Sequence, residues 1–384
     1  MTNERPTNQH NSPKRIKQFF ITVFCVFFII ASINLWIDPS GIFFNRDRII
    51  EPRSSTAWLP MKLVIDRKEE CHNFIFGTSR IYSWDTTPLR EKTCKFSYPA
   101  KALQSFHSGL NTLINHQIKI NNVIITVERA AFYNQEQFGY KKSAALGLDY
   151  PSNLMETVFA IKTLLYTNTH SNIQKYFSEP IESEYQRENF QKSDERIFRQ
   201  LIYRWEPEFK NVKWKTSQEH TDAVNSAKAY SGVDLYRNYE PLPAINLLKK
   251  INGLSKKHNF KVTYIRAPIF IKNIVATNKT EFFDAYRRLA NTTPYYDFSY
   301  DINYLKKPSL WIDYSHYKKG VAELIINDLN KKTTELQFGK YITKNNVDIH
   351  LAQFEKNIYK YFIDLKPYPP NTVIHSSWLK QPTH

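Results

Sequence analysis

Glycine is scarce in this chain, with nine residues in 384. No Walker-type phosphate loop and no Gly-rich dinucleotide turn is present, so the commonest backbone cradles for a nucleotide phosphate are missing. Cysteine is scarcer still, at three, and none stands at zinc-ligand spacing. No cofactor and no metal is expected. Acidic residues are in deficit too. Against 53 Lys and Arg there are 36 Asp and Glu, a formal charge of +17. The surplus is spread along the whole chain, as on a solvated basic surface. Anionic lipid or anionic polymer fits that charge, and no nucleic-acid partner is expected.

Long apolar runs are absent with one exception. From Phe19 to Ile37 only Thr22, Ser32 and Asn34 interrupt the hydrophobic residues. That stretch, 18–38 with its flanks, is long enough to cross a bilayer as a helix, and Trp36 stands where an interfacial aromatic would. A cleaved signal peptide is the alternative, but the only small-residue site nearby, Ala31-Ser32-Ile33, is a poor one. Arg5, Lys14, Arg15 and Lys17 precede the run and favour a cytoplasmic tail at 1–17. The bulk of the chain is then expected outside the cytoplasm, on a single-pass anchor in the inner (cell) membrane.

The remainder is rich enough in hydrophobic (42%) and aromatic (15%) residues to fill a core. Residues 39–70 read as a connector punctuated by Pro39, Gly41, Pro52 and Pro60. Phe74-Ile75-Phe76 is a continuous apolar run, expected of a strand covered on both faces. Gly77 ends it, a residue that tolerates unusual backbone angles. A short helix is expected at 86–93 and a second strand from Cys94 to Tyr98. Cys71 and Cys94 both sit at strand starts, so a disulfide between them competes with two buried thiols. Leu103, Phe106, Leu110, Leu113 and Ile114 share one helical face. Residues 122–127 are nearly all β-branched, a third strand.

Alternation is lost from about 135 to 240, which reads as a helical insertion. Trp205 and Trp214 there fit either core packing or a sugar-stacking platform. The α/β pattern then resumes with a helix at 241–257, a strand from Phe260 to Ala267, a helix at 281–290, a strand from Tyr295 to Phe298 and a helix after Gly320. Residues 336–384 read as a tail with one helix through Val347, Leu351, Phe354 and Ile358. The expected architecture is α/β, a three-layer sandwich on a mostly parallel sheet of about five strands, flavodoxin-like, within residues 71–335.

Two short motifs carry chemistry. Ser79 stands after the first strand, in Phe76-Gly77-Thr78-Ser79-Arg80, at the carboxyl end where open α/β sheets build their sites. A serine there is either a turn residue or a nucleophile. Gly253-Leu254-Ser255 repeats the Gly-x-Ser pattern inside a Lys-rich helix, without consequence. Far downstream, Asp313 and His316 form the chain's only Asp-x-x-His pair. That spacing puts both side chains on one turn. Asp313 can then fix the His316 tautomer, leaving the other ring nitrogen for a serine.

Together these blocks resemble the SGNH (GDSL-type) hydrolase superfamily. Gly77-Thr78-Ser79-Arg80 is similar to a first-block variant found in membrane-anchored relatives of the D-alanyl transfer protein for teichoic acids and of alginate O-acetylation proteins. Asp313-Tyr314-Ser315-His316 looks like the closing block. The resemblance implies Ser79 as nucleophile, His316 as base and then acid, and Asp313 as its orienter. It implies an esterase or O-acyltransferase on a cell-envelope polysaccharide, with a polytopic membrane acyltransferase as a further partner. Two departures stand out. The second block, Phe96 to Ala102, has no glycine, and Thr126-Val127-Glu128-Arg129 has no asparagine where the third block ends in one. A non-catalytic envelope-assembly or polymer-binding protein is the alternative they feed.

Overall fold

The computed structural model describes residues 12–37, 61, 64–65, 67–89, 92–97, 103–133, 238–312, 316–331, 336–364, 373–380 and 382. The chain divides into two compact units, 1–55 with 151–196 and 56–150 with 197–384. Of the first, helix α1 (Ser12–Ile37) is described. Its stretch Arg15–Asn34 is long and apolar enough to cross a membrane, and Phe19, Phe20, Phe24, Phe27 and Phe28 all project outward, exposed.

The second unit is built on one six-stranded sheet in the order β2-β1-β3-β4-β5-β6. Its strands are β1 (Asn73–Gly77), β2 (Thr93–Ser97), β3 (Asn122–Thr126), β4 (Lys261–Arg266), β5 (Tyr295–Asp297) and β6 (Lys340–Ile342). All pairings are parallel except β5 with β6. Six strands stand among the described residues, where about five were expected. The sixth lies in the stretch read as a tail, where Lys340-Tyr341-Ile342 offers no apolar run to announce a strand.

Every residue of β1 is buried, because it lies between β2 and β3 with both faces covered. Phe74 pairs with Cys94 on one side and Val123 on the other. Cys71 and Cys94 form a disulfide, with Cα atoms 5.9 Å apart, so the open alternative resolves in favour of the bridge. Closing a loop of that size stabilises by about 3 kcal/mol.

Helix α2 (Leu103–Asn115) buries Leu103, Phe106, Leu110 and Leu113 along one stripe. Helix α3 (Pro241–His258) starts with proline in its first turn, where no N–H is needed. It ends on Asn259 in the left-handed region at φ 54°, with Lys256, Lys257 and His258 against the dipole's negative end. After β4 come the short α4 (Ile271–Val275) and α5 (Lys279–Thr292). The Asn278 side chain caps α5 by accepting the N–H groups of Thr280 and Glu281. Helices α2 and α5 both pack against α3. Beyond β5 lie α6 (Ile302–Leu305), α7 (Lys319–Asn330) and α8 (Val347–Asp364).

Two buried charges hold the late part of the chain. Asp297 receives Arg266 at 3.0 Å and the His350 ring at 2.6 Å, while the guanidinium lies over the rings of Tyr286, Phe282 and Phe354. Asp328 accepts the backbone N–H groups of Gln337, Phe338 and Gly339. Burial pushes both carboxyls up. Arg266 and His350 outweigh it at Asp297, the three N–H donors outweigh it at Asp328, and both sit below the ordinary carboxylate value.

Instead of the helix expected at 86–93, Thr87 to Leu89 form a turn, and a 3-10 turn stands earlier, at Ser79–Ser83. The insertion at about 135–240, with Trp205 and Trp214, lies outside the described residues apart from 238–240.

Candidate active site

Ser79 opens the 3-10 turn that follows β1. Gly77 makes that turn possible by its size, not by an unusual backbone angle. A Cβ there would collide with Ile81 Cγ2 and stand 3.1 Å from Thr126 Oγ1. With no side chain in the way, Ile81 folds back over the end of the strand. Ser79's own N–H is at the first helical position, where the helix supplies no acceptor.

One carboxylate holds both neighbours of Ser79. Glu128, two residues beyond β3 and buried, accepts a hydrogen bond from Thr78 Oγ1 on Oε1. On Oε2 it accepts one from Arg80 NH1 at 2.6 Å. The next residue, Arg129, donates from NH1 to the carbonyl of Asn273 at 2.7 Å. The loops after β1, β3 and β4 are thus linked side by side along the carboxyl edge of the sheet. From β1 the chain steps to β2 on one side, and later strands are added on the other, so the loops after β1 and β3 part where such sheets leave a crevice.

His316 arrives from the far end of the sequence. An antiparallel bridge between Trp311 and Tyr317 brackets it, and Ile312 N–H donates to its carbonyl at 2.7 Å. Its Nε2 lies 2.8 Å from Ser79 Oγ. Tyr317 pins this segment to the serine turn, because its hydroxyl accepts from Trp84 Nε1 at 2.7 Å. Both rings are buried, and burial raises the Tyr317 hydroxyl well above its ordinary value.

Of the residues singled out from the sequence, the structure therefore brings Ser79 and His316 into contact. Asp313 lies outside the described residues, as do Tyr98 to Ala102 of the second block. Arg129, at the end of the third block, spends NH1 on a carbonyl clamp. Sequence reasoning missed Glu128 and the Trp84–Tyr317 pair. The available signal for Glu128 was an acid directly after a buried strand, with an arginine beside the candidate nucleophile. Trp84 and Tyr317 gave none beyond lying close to the two motifs.

A hydroxyl touching an imidazole nitrogen can do nucleophilic chemistry, since the ring can take the proton as oxygen attacks. Among the described residues no cluster of His, Cys, Asp and Glu could hold a metal ion. Comparison with family models, with curated proteins and with solved structures finds no match.

Proposed function

We propose that this chain is a membrane-anchored, extracytoplasmic SGNH-like esterase or O-acyltransferase, acting on acyl esters of a cell-envelope polysaccharide. The observation that carries the reading is the 2.8 Å contact between Ser79 Oγ and His316 Nε2. The strand order β2-β1-β3-β4-β5 is that of flavodoxin-like sheets. α1 supplies an anchor, and the Cys71–Cys94 disulfide suits an oxidising compartment.

In this mechanism Ser79 Oγ attacks the ester carbonyl while His316 Nε2 takes the hydroxyl proton. The carbonyl oxygen, now negative, is met by the Ser79 backbone N–H. Collapse expels the sugar alkoxide, which receives the proton back from His316, and leaves the acyl group on Ser79. Water then attacks the acyl-enzyme in an esterase, or a second sugar hydroxyl in a transferase, with His316 again taking and returning a proton. Asp313 is assigned the orientation of the ring's other nitrogen. A polytopic acyltransferase would serve as acyl source in the transferase case.

A second reading is a non-catalytic assembly or polymer-binding protein. Glu128 favours it, since an engaged carboxylate follows β3 where the family's block ends in an amide donor. Fluorophosphonate labelling of the full chain separates the two. Wild type should label, and Ser79→Ala and His316→Ala should both abolish labelling. A folded wild type that does not label refutes the enzyme reading.

A further inference from the structure

The carboxyl edge of the sheet carries Ser79 and His316. The opposite edge carries a different feature. There the chain comes in to β1 at His72, whose carbonyl accepts Asn121 N–H at 2.7 Å. The Asn121 carbonyl in turn accepts Lys261 N–H at 2.9 Å. These two bonds place the start of β1 beside Lys261 and the C-terminal end of α3.

That end of α3 is strongly basic. Lys256, Lys257 and His258 are exposed there, as are Lys261 at the start of β4 and Lys119 just before β3, while Lys249 and Lys250 are exposed about halfway along the helix. None of these lysines forms an ion pair among the described residues. The charge reaches α2, since Lys250 acts on His107 across the helix–helix contact. No Asp or Glu occurs anywhere in 92–127 or in 241–280, the two stretches that supply α2, β3, α3 and β4. The acids nearest the incoming chain are Glu69 and Glu70. Glu70 is paired with Arg67 and Lys92, and Glu69 stands 3.8 Å from His72.

We propose that this basic edge docks on anionic lipid headgroups of the membrane that holds α1. The inference rests on the anchored reading above. A single spanning helix tethers a domain but does not choose the face turned to the bilayer. A lysine-rich surface at the edge where β1 begins makes that choice, because clustered lysines near an anionic leaflet are attracted within about a Debye length. The docked domain turns its Ser79–His316 edge away from the lipid. The two edges are separated by the five residues of β1, roughly 16 Å at about 3.3 Å each, so the site faces polymer rather than membrane.

The test uses the full chain in lipid nanodiscs, one set of phosphatidylcholine alone and one containing phosphatidylglycerol. Lysines are acylated with a water-soluble reagent and quantified by mass spectrometry. In phosphatidylglycerol discs Lys256, Lys257 and Lys261 should react at least about fivefold more slowly. Reactivity should return in about 1 M salt, where the Debye length is about 3 Å. Lys318 and Lys319, beside His316, should not respond. A Lys256→Glu/Lys257→Glu variant should lose the protection of Lys261. Equal reactivity in both discs overturns the proposal. Protection by soluble polyphosphate in phosphatidylcholine discs, with none from phosphatidylglycerol, also overturns it and makes the surface a polymer site. A chain that fails to stay in the discs sinks the anchored reading itself, and a chain that stays without lysine protection sinks only the docking.

Discussion

Glu128 is the residue whose removal should be most informative. Its carboxylate holds Thr78 and Arg80, the two neighbours of Ser79, and the Arg80 pair is 2.6 Å long with side chains 13% and 8% exposed. Glu128→Ala leaves the guanidinium in that half-buried place without its carboxylate. Loss of one partner from such a pair costs about 3–5 kcal/mol. In a domain of this size that is a fall in Tm of roughly 10 °C. Glu128→Gln should cost less, about 1–2 kcal/mol. Its amide oxygen can turn to Arg80, and its NH2 can donate to the Thr78 hydroxyl, which also accepts. The double variant Glu128→Ala/Arg80→Ala should be more stable than the two single losses added together, by a coupling of about 1–3 kcal/mol. Fluorophosphonate labelling of Glu128→Gln should slow by about tenfold, the rate equivalent of roughly 1.4 kcal/mol, as the serine turn loses its fixed position. Thermal unfolding and labelling rates on the same samples check both halves. Strictly additive single losses, or Glu128→Gln labelling at the wild-type rate, would refute the idea that one carboxylate sets the serine turn.

The Tyr317→Phe variant leaves Trp84 Nε1 buried without its acceptor, so stability should drop by about 1–3 kcal/mol, and labelling of Ser79 should slow because His316 is the next residue; an unchanged labelling rate would make the pair purely structural. Cys71→Ser/Cys94→Ser should lower stability by about 3 kcal/mol, read as a lowered Tm that reducing agent lowers no further. Asp328→Ala strands three backbone N–H donors and should cost about 3–5 kcal/mol, checked by thermal unfolding. Asp297 and Asp328 are both held below the ordinary value of 3.8. Their stabilisation is therefore complete above that pH and is lost as pH falls through their depressed folded values. Thermal stability should fall most steeply on acidification below about pH 4, and Asp328→Asn should flatten that fall.

Strand β1 was legible because a parallel strand buried on both faces has to be apolar throughout, as Phe74-Ile75-Phe76 is, and β3 because Val123 to Ile125 are all β-branched. Helices α2 and α3 announced themselves through one-sided apolar spacing. β6 was hidden, since an edge strand of Lys340, Tyr341 and Ile342 takes its identity from pairing with β5. The 3-10 turn at Ser79 was hidden for a related reason. It depends on the room that Gly77 leaves for Ile81, a steric fact that appears only when β1 and β3 lie side by side. Ser79 and His316 could be found because their chemistry restricts residue type. Glu128 could not be assigned, because a carboxylate after a strand means nothing until Thr78 and Arg80 are placed against it.

The two reacting groups are 237 positions apart in the chain. Ribosomes add about 5–20 residues each second, so the serine exists for roughly 10–50 s before its imidazole has been made. During that interval Ser79 is an ordinary alcohol. Closing so long a loop is also slow, since distant contacts reward the chain only after its entropy has been spent. The Ser79–His316 contact is thus a late event in the life of the molecule, made by completion of the fold. A nascent or prematurely terminated chain can carry α1, β1 and the disulfide, yet lack the imidazole beside Ser79.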